Sequence, residues 1–156
     1  MSLDPSKLRR FPKLGQGSYR VTSSPTFKYN CIAYAAGITD AWYDPNEWDG
    51  STWPDNIPRE CTLDSYIALY ASLGYSICSD AALEDGFEKV ALYKDFDGDP
   101  SHAARQLESG KWTSKLGDWE DIEHATPNDL EGLNRFEAGY GVVVCFMRRR
   151  RTGSET

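Results

Sequence analysis

Between Thr62 and Leu73 the apolar residues Leu63, Tyr66, Ile67, Tyr70 and Leu73 recur at spacings of three and four, with Gly74 directly after them. That period places them on one face of a helix, and the glycine supplies its stop. A second, shorter helix is predicted from Asn30 to about Gly37, where Asn30 can cap, the alanines have high propensity and Gly37 can terminate. Beyond Gly74 the period changes to two. Tyr75–Cys78, Glu88–Tyr93, Ser101–Leu107, Lys111–Ser114 and Tyr140–Met147 read as strands, separated by turn signals at Asp97-Gly98-Asp99-Pro100 and Ser109-Gly110. The stretch SHAARQL-ESG-KWTS is a hairpin, and Asp118 to Leu133 is a second helix or an irregular segment. Helices first and an antiparallel sheet second is the pattern of the α+β class.

The flanks carry less signal. Residues 1–26 hold prolines and glycines with weak periodicity and read as an irregular arm, whereas Arg148 to Arg151 open a flexible basic tail, residues 148–156, around a single domain. From Trp42 to Pro58 three tryptophans, Trp42, Trp48 and Trp53, mix with prolines, Asp and Asn, the composition of a long ordered loop of the kind that walls a cleft.

Composition narrows the function classes. About 40% of the 156 residues are apolar and 13% aromatic, enough for a real core. The net charge of −7 offers no basic face to phosphates, so nucleic acid is not an expected partner. No apolar run is long enough to span a bilayer or to act as a signal peptide's core, so the chain reads as cytoplasmic and not membrane-bound. Four cysteines, Cys31, Cys61, Cys78 and Cys145, match neither a zinc pair nor a disulfide framework, so reduced thiols, no metal and no cofactor are expected.

Candidate chemistry centres on Cys31, predicted in the first turn of its helix, where backbone N–H groups and the helix dipole favour thiolate. Both histidines, His102 and His124, lie in the second half of the chain. His102 opens a strand after a turn and suits a catalytic base at neutral pH. A third group would orient the imidazole, and His124, Asp121, Glu120 and Asp118 are all candidates. Against this stands the plain alternative, in which Cys31 is a small buried apolar residue, His102 a structural strand residue and His124 a cap.

The order of Asn30-Cys31 at a helix start, Ser101-His102 at a strand start and a later polar residue, His124, resembles the papain-like cysteine peptidase superfamily, with NlpC/P60-type enzymes most similar. HAARQLESGKWTSKLGDWEDIEH, residues 102–124, also resembles a pattern of uncharacterised bacterial proteins assigned to that superfamily. The resemblance implies a papain-like fold with N-terminal helices packed on an antiparallel sheet. It also implies a thiol hydrolase, a peptidase or amidase forming an acyl-enzyme on a peptide or other amide-containing substrate. In that reading Cys31 attacks, His102 transfers the proton, and His124 or Asp121 orients it. Backbone N–H groups at the helix start, aided by Asn30, form the oxyanion hole. Trp53 and Trp112 stand beside the substrate, although Trp112 reads first as a packing residue. The competing expectation is a non-catalytic binding or immunity-type module on the same scaffold, using the tryptophan-rich loop as its surface. A Cys31 and His102 that are separated and buried would favour it.

Overall fold

A computed structural model describes residues 2–151. After α1 (Pro5–Leu8) and a 3-10 turn at Leu14–Gln16 come β1 (Tyr19–Ser23), α2 (Cys31–Ala35), α3 (Leu63–Ser72), β2 (Ser76–Cys78) and β3 (Phe87–Lys94). The chain continues through β4 (Pro100–Gln106), β5 (Trp112–Lys115), β6 (Asp121–His124), a 3-10 turn at Pro127–Leu130 and β7 (Val142–Arg150). All seven strands join one sheet in the order β1-β6-β5-β4-β3-β7-β2, and every pairing is antiparallel.

The expected α+β, papain-like arrangement is overturned by this architecture. Its frame is the seven-stranded antiparallel sheet, and the three α-helices are short, of four, five and ten residues. The two helix signals were sound, but few other residues are helical. Segments not expected to be strands joined the sheet instead: Tyr19–Ser23, within the supposed arm, pairs with Asp121–His124, within the supposed second helix or irregular segment. Each is only four or five residues long: β1 alternates partly buried and exposed positions over just five residues, and β6, DIEH, offers a single apolar residue, too little for a period to stand out.

The helices form for local reasons and persist for tertiary ones. Thr62 caps α3 through its side-chain oxygen, which accepts from the Ser65 N–H at 3.2 Å. A five-residue helix such as α2 is too short to hold by itself. The Asn30 Oδ1 accepts from the Ala33 N–H at its start, while the Tyr70 hydroxyl donates to the Ile32 carbonyl at 2.7 Å. At its far end Arg149 donates to the Ala36 carbonyl at 3.0 Å, to the Leu73 carbonyl at 3.0 Å and to Glu88 at 2.8 Å. These bonds satisfy carbonyls that a helix end leaves open. They also correct the picture of a flexible tail from residue 148, because Arg148, Arg149 and Arg150 are strand residues paired with β3. Residues 152–156 of that tail lie outside the described part.

Two apolar layers cover the sheet. On one face Val90, Leu92, Ala103 and Met147 pack with Ile32, Ala35, Leu69 and Tyr70 of α2 and α3. On the other, Ala91, Tyr93, Ala104, Trp112 and Ile122 pack with Leu3, Phe11, Leu14 and Leu130. Alternation along each strand sends adjacent residues to opposite layers. Where β7 begins, Gly141 sits at φ +85° with the Lys94 carbonyl so close that a Cβ would lie 1.9 Å from its oxygen, so only glycine fits.

Candidate functional site

The strand alternation decides the fate of the expected catalytic pair. His102 stands opposite Tyr93 in the register of β3 and β4, its ring 5.1 Å from that of Tyr93 and stacked on Tyr140 at 4.0 Å with an interplanar angle of 1°. That is the layer of Tyr93 and Ala104. Cys31 packs in the other layer, with Ile32, Ala35 and Ala103. His102 therefore leaves the sheet on the face opposite to the one that α2 and Cys31 cover. Neither His102 ring nitrogen has a hydrogen-bond partner among the described residues, and the side chain is 1% exposed.

Electrostatics point the same way. Burial pushes the Cys31 thiol up to about 11, although the Ala103, Ile32 and Cys31 backbone groups and the Lys115 ammonium pull it down. At neutral pH the sulfur is a thiol, not the attacking thiolate. Burial likewise holds His102 well below the usual histidine value, with His124 adding to the effect, so its imidazole stays neutral.

The expected third members divide between the faces. His124 lies opposite Trp112 and shares the His102 layer, but it is fully engaged elsewhere. Its Nδ1 lies 2.8 Å from the Thr126 carbonyl, which can only accept, so Nδ1 carries the proton and Nε2 accepts from the Ser114 hydroxyl at 2.8 Å. Asp121 lies opposite Lys115, on the Cys31 face, and accepts from the Tyr29 hydroxyl at 2.5 Å. Neither group touches His102 through a hydrogen bond.

The remaining expected site residues are structural. Asn30 spends its amide on the loop: Oδ1 accepts from the Ala33 and Tyr43 N–H groups, and Nδ2 donates to the Tyr43 carbonyl at 2.8 Å. It is a cap and a clamp, with one of its two amide hydrogens committed to the Tyr43 carbonyl. Trp53 is buried against Tyr66 and donates from its indole to the Ile57 and Pro58 carbonyls. Trp112 is buried in the second layer, so its packing role prevails.

On the Cys31 face the sheet instead gathers a polar cluster around Lys115 and Asp121. Lys115 has no exposed surface; its Nζ donates to the Trp119 carbonyl and lies 5.3 Å from the centre of the Tyr29 ring. Desolvation lowers its pKa, opposed by Asp121, Asp118 and Glu120. Tyr34 of α2 bonds to Thr113 at 2.9 Å, fixing the helix over β5.

Just outside this cluster an open groove of about 470 Å³ is lined by Phe27, Trp42, Trp48, Gly117 and Asp118. Phe27 is 76% exposed and Trp48 45% exposed, while the Trp42 and Trp48 rings meet at 74° with centres 5.9 Å apart. The loop behind them is built, not slack. The Trp48 indole donates to Asp44 at 2.7 Å, Ser51 closes a turn onto the Trp48 carbonyl at 2.8 Å, and the Thr52 N–H donates to the Trp42 carbonyl at 2.8 Å. The Asn30 bonds to Tyr43 tie this loop to the start of α2. Trp42 and Trp48 were legible as a loop surface. Phe27 and the turn at Gly117-Asp118 were not, because only the pairing of β5 with β6 brings that turn to the tryptophans.

A family model described as a domain of unknown function, DUF7689, matches residues 20–148, most of the chain. The chain belongs to the DUF7689 family. No curated protein and no solved structure matches it. The DUF7689 match spans β1 through most of β7 and takes in both the groove and the buried cluster. Among the described residues, no group of three or more His, Cys, Asp or Glu side chains is placed to hold a metal ion, and no helix is long and apolar enough to cross a membrane.

Proposed function

We propose that this DUF7689 chain is a binding module whose ligand enters the aromatic groove at the start of α2. The observation that carries the reading is the groove itself: three aromatic rings, two of them substantially exposed, held open beside Asp118. Large apolar side chains are ordinarily buried, and rings held at a surface concentrate binding energy. The Asp44 and Ser51 hydrogen bonds hold Trp48 in place before any ligand arrives, which lowers the ordering cost of association. A thiol hydrolase needs its sulfur and imidazole in contact, and the arrangement of Cys31 and His102 lends that reading no support.

Selection from a displayed random-peptide library, with the intact chain as target, tests the proposal. Selected ligands should bind the Trp42→Ala/Trp48→Ala variant at least tenfold more weakly than the parent, while its thermal midpoint stays close to the parent's. Ligands that bind both proteins equally would overturn it.

A further inference from the structure

The groove combines aromatic faces with negative charge. Asp118 is part of its lining, and Asp44 holds its carboxylate against the Trp48 indole N–H while also accepting from the Asn46 backbone. Asp40 and Asp49 flank these residues in the sequence, Glu47 pairs with Arg59 at 3.8 Å, and the whole chain carries a net charge of −7. Two cations stand nearby in sequence. Lys28 follows Phe27 and is exposed, whereas Lys115 turns inward to the Trp119 carbonyl. No ion pair involves Asp118 or Asp44 among the described residues.

Aromatic faces carry negative potential and attract a cation within about 6 Å of the ring centre, the more so once it is desolvated. Two indoles at a near right angle, a phenyl ring and a carboxylate form a corner with this character on several sides. A neutral apolar side chain would use the rings but leave Asp118 facing only the inward-turned Lys115 ammonium, with no ion pair of its own among the described residues. We propose that the groove receives the cationic head of a Lys or Arg side chain from a peptide partner, with Trp42 and Trp48 against the charge and Asp118 as its counter-ion. This rests on the binding-module reading and adds the chemistry of the ligand to it.

Nuclear magnetic resonance titration of the intact chain tests the proposal, following the indole N–H signals of Trp42 and Trp48. Four heptapeptides of Gly and Ser carry one central residue: Lys, Arg, trimethyl-lysine or uncharged norleucine. The three cationic peptides should bind at least tenfold more tightly than the norleucine peptide. Asp118→Asn should remove most of that difference, and Trp48→Ala should abolish saturable binding. Equal affinity for all four peptides, lost in Trp48→Ala, would overturn the cation assignment while the groove reading stands. Cationic binding unchanged in Trp48→Ala would overturn it as well, by placing the charge elsewhere. Absence of saturable shifts with any cationic peptide also counts against it, and the library selection then judges the groove on its own.

Discussion

Both faces of the sheet bury bonded polar side chains, but the His102 face also holds an imidazole with no hydrogen-bond partner among the described residues. On the Cys31 face Lys115, Asp121, Tyr29, Thr113 and Tyr34 engage one another or nearby carbonyls. On the other face Tyr93 donates to the Pro127 carbonyl, Gln106 to the Ala81 carbonyl and Lys89 to Asp80, and His124 is bonded at both ring nitrogens, but His102 is sealed between Tyr93 and Tyr140 with no hydrogen-bond partner among the described residues. Stacking and apolar contact hold one imidazole, hydrogen bonds the other. A residue type that suggests acid–base chemistry in sequence can thus be a flat filler of the core in space.

Three measurements sharpen or break that contrast. The largest effect belongs to the Cys31 face. Tyr29→Phe removes the one hydrogen bond to Asp121 Oδ2, while Oδ1 already lacks a partner. A buried carboxylate left unpaired costs about 2 kcal/mol, a loss that urea unfolding at pH 7 should show. Unchanged stability would mean that the pair is solvated and the face less tightly closed than described.

A smaller effect is expected from the stacked imidazole. Burial depresses His102 and His124 below the histidine value of the unfolded chain, about 6.5. As pH falls below that value the unfolded state takes up protons first, so stability is full above it and declines toward the depressed folded values. His102→Phe keeps a ring against Tyr140 and cannot titrate. The variant should lose less stability than the parent between pH 7 and pH 5, with His124 supplying the remaining slope. Identical slopes would show that His102 is not the buried neutral group described.

The smallest effect is a rate that does not rise above a free thiol's. With its thiol pushed up to about 11, Cys31 should react with iodoacetamide at pH 7 no faster than a free thiol, and His102→Phe should leave that rate unchanged. Mass spectrometry of the alkylated peptides reads this site by site. Rapid, His102-dependent alkylation would bring the two faces into chemical contact and restore a catalytic pair.

Much of the local structure was legible from particular residues. Asn30 and Thr62 cap the helices they were expected to start, and the ESG turn joins β4 to β5 through the Leu107 N–H and the Lys111 carbonyl. Period two found five strands of the sheet. The candidate site was less legible, since Cys31, His102 and His124 have the right types in a suggestive order, and order says nothing about the face from which a side chain leaves. Asn30 illustrates the gap. Its role as a cap follows from its neighbours, while its clamp on Tyr43 depends on a loop thirteen residues away.

The sequence by itself determined where the chain turns, which stretches extend, where α2 and α3 begin, and that aromatic residues crowd one loop, because capping, glycine conformations and hydrophobic period act over a few neighbouring residues. Tertiary structure alone decided that β1 and β6 pair, that Arg149 closes the far end of α2, that Cys31 and His102 face apart, and that Phe27 and Asp118 meet the tryptophans. Those outcomes follow from strand register, and a shift of one residue in register exchanges the two faces of a strand. Register is settled by which whole layer of side chains can be buried together, a sum over distant residues that no short stretch contains.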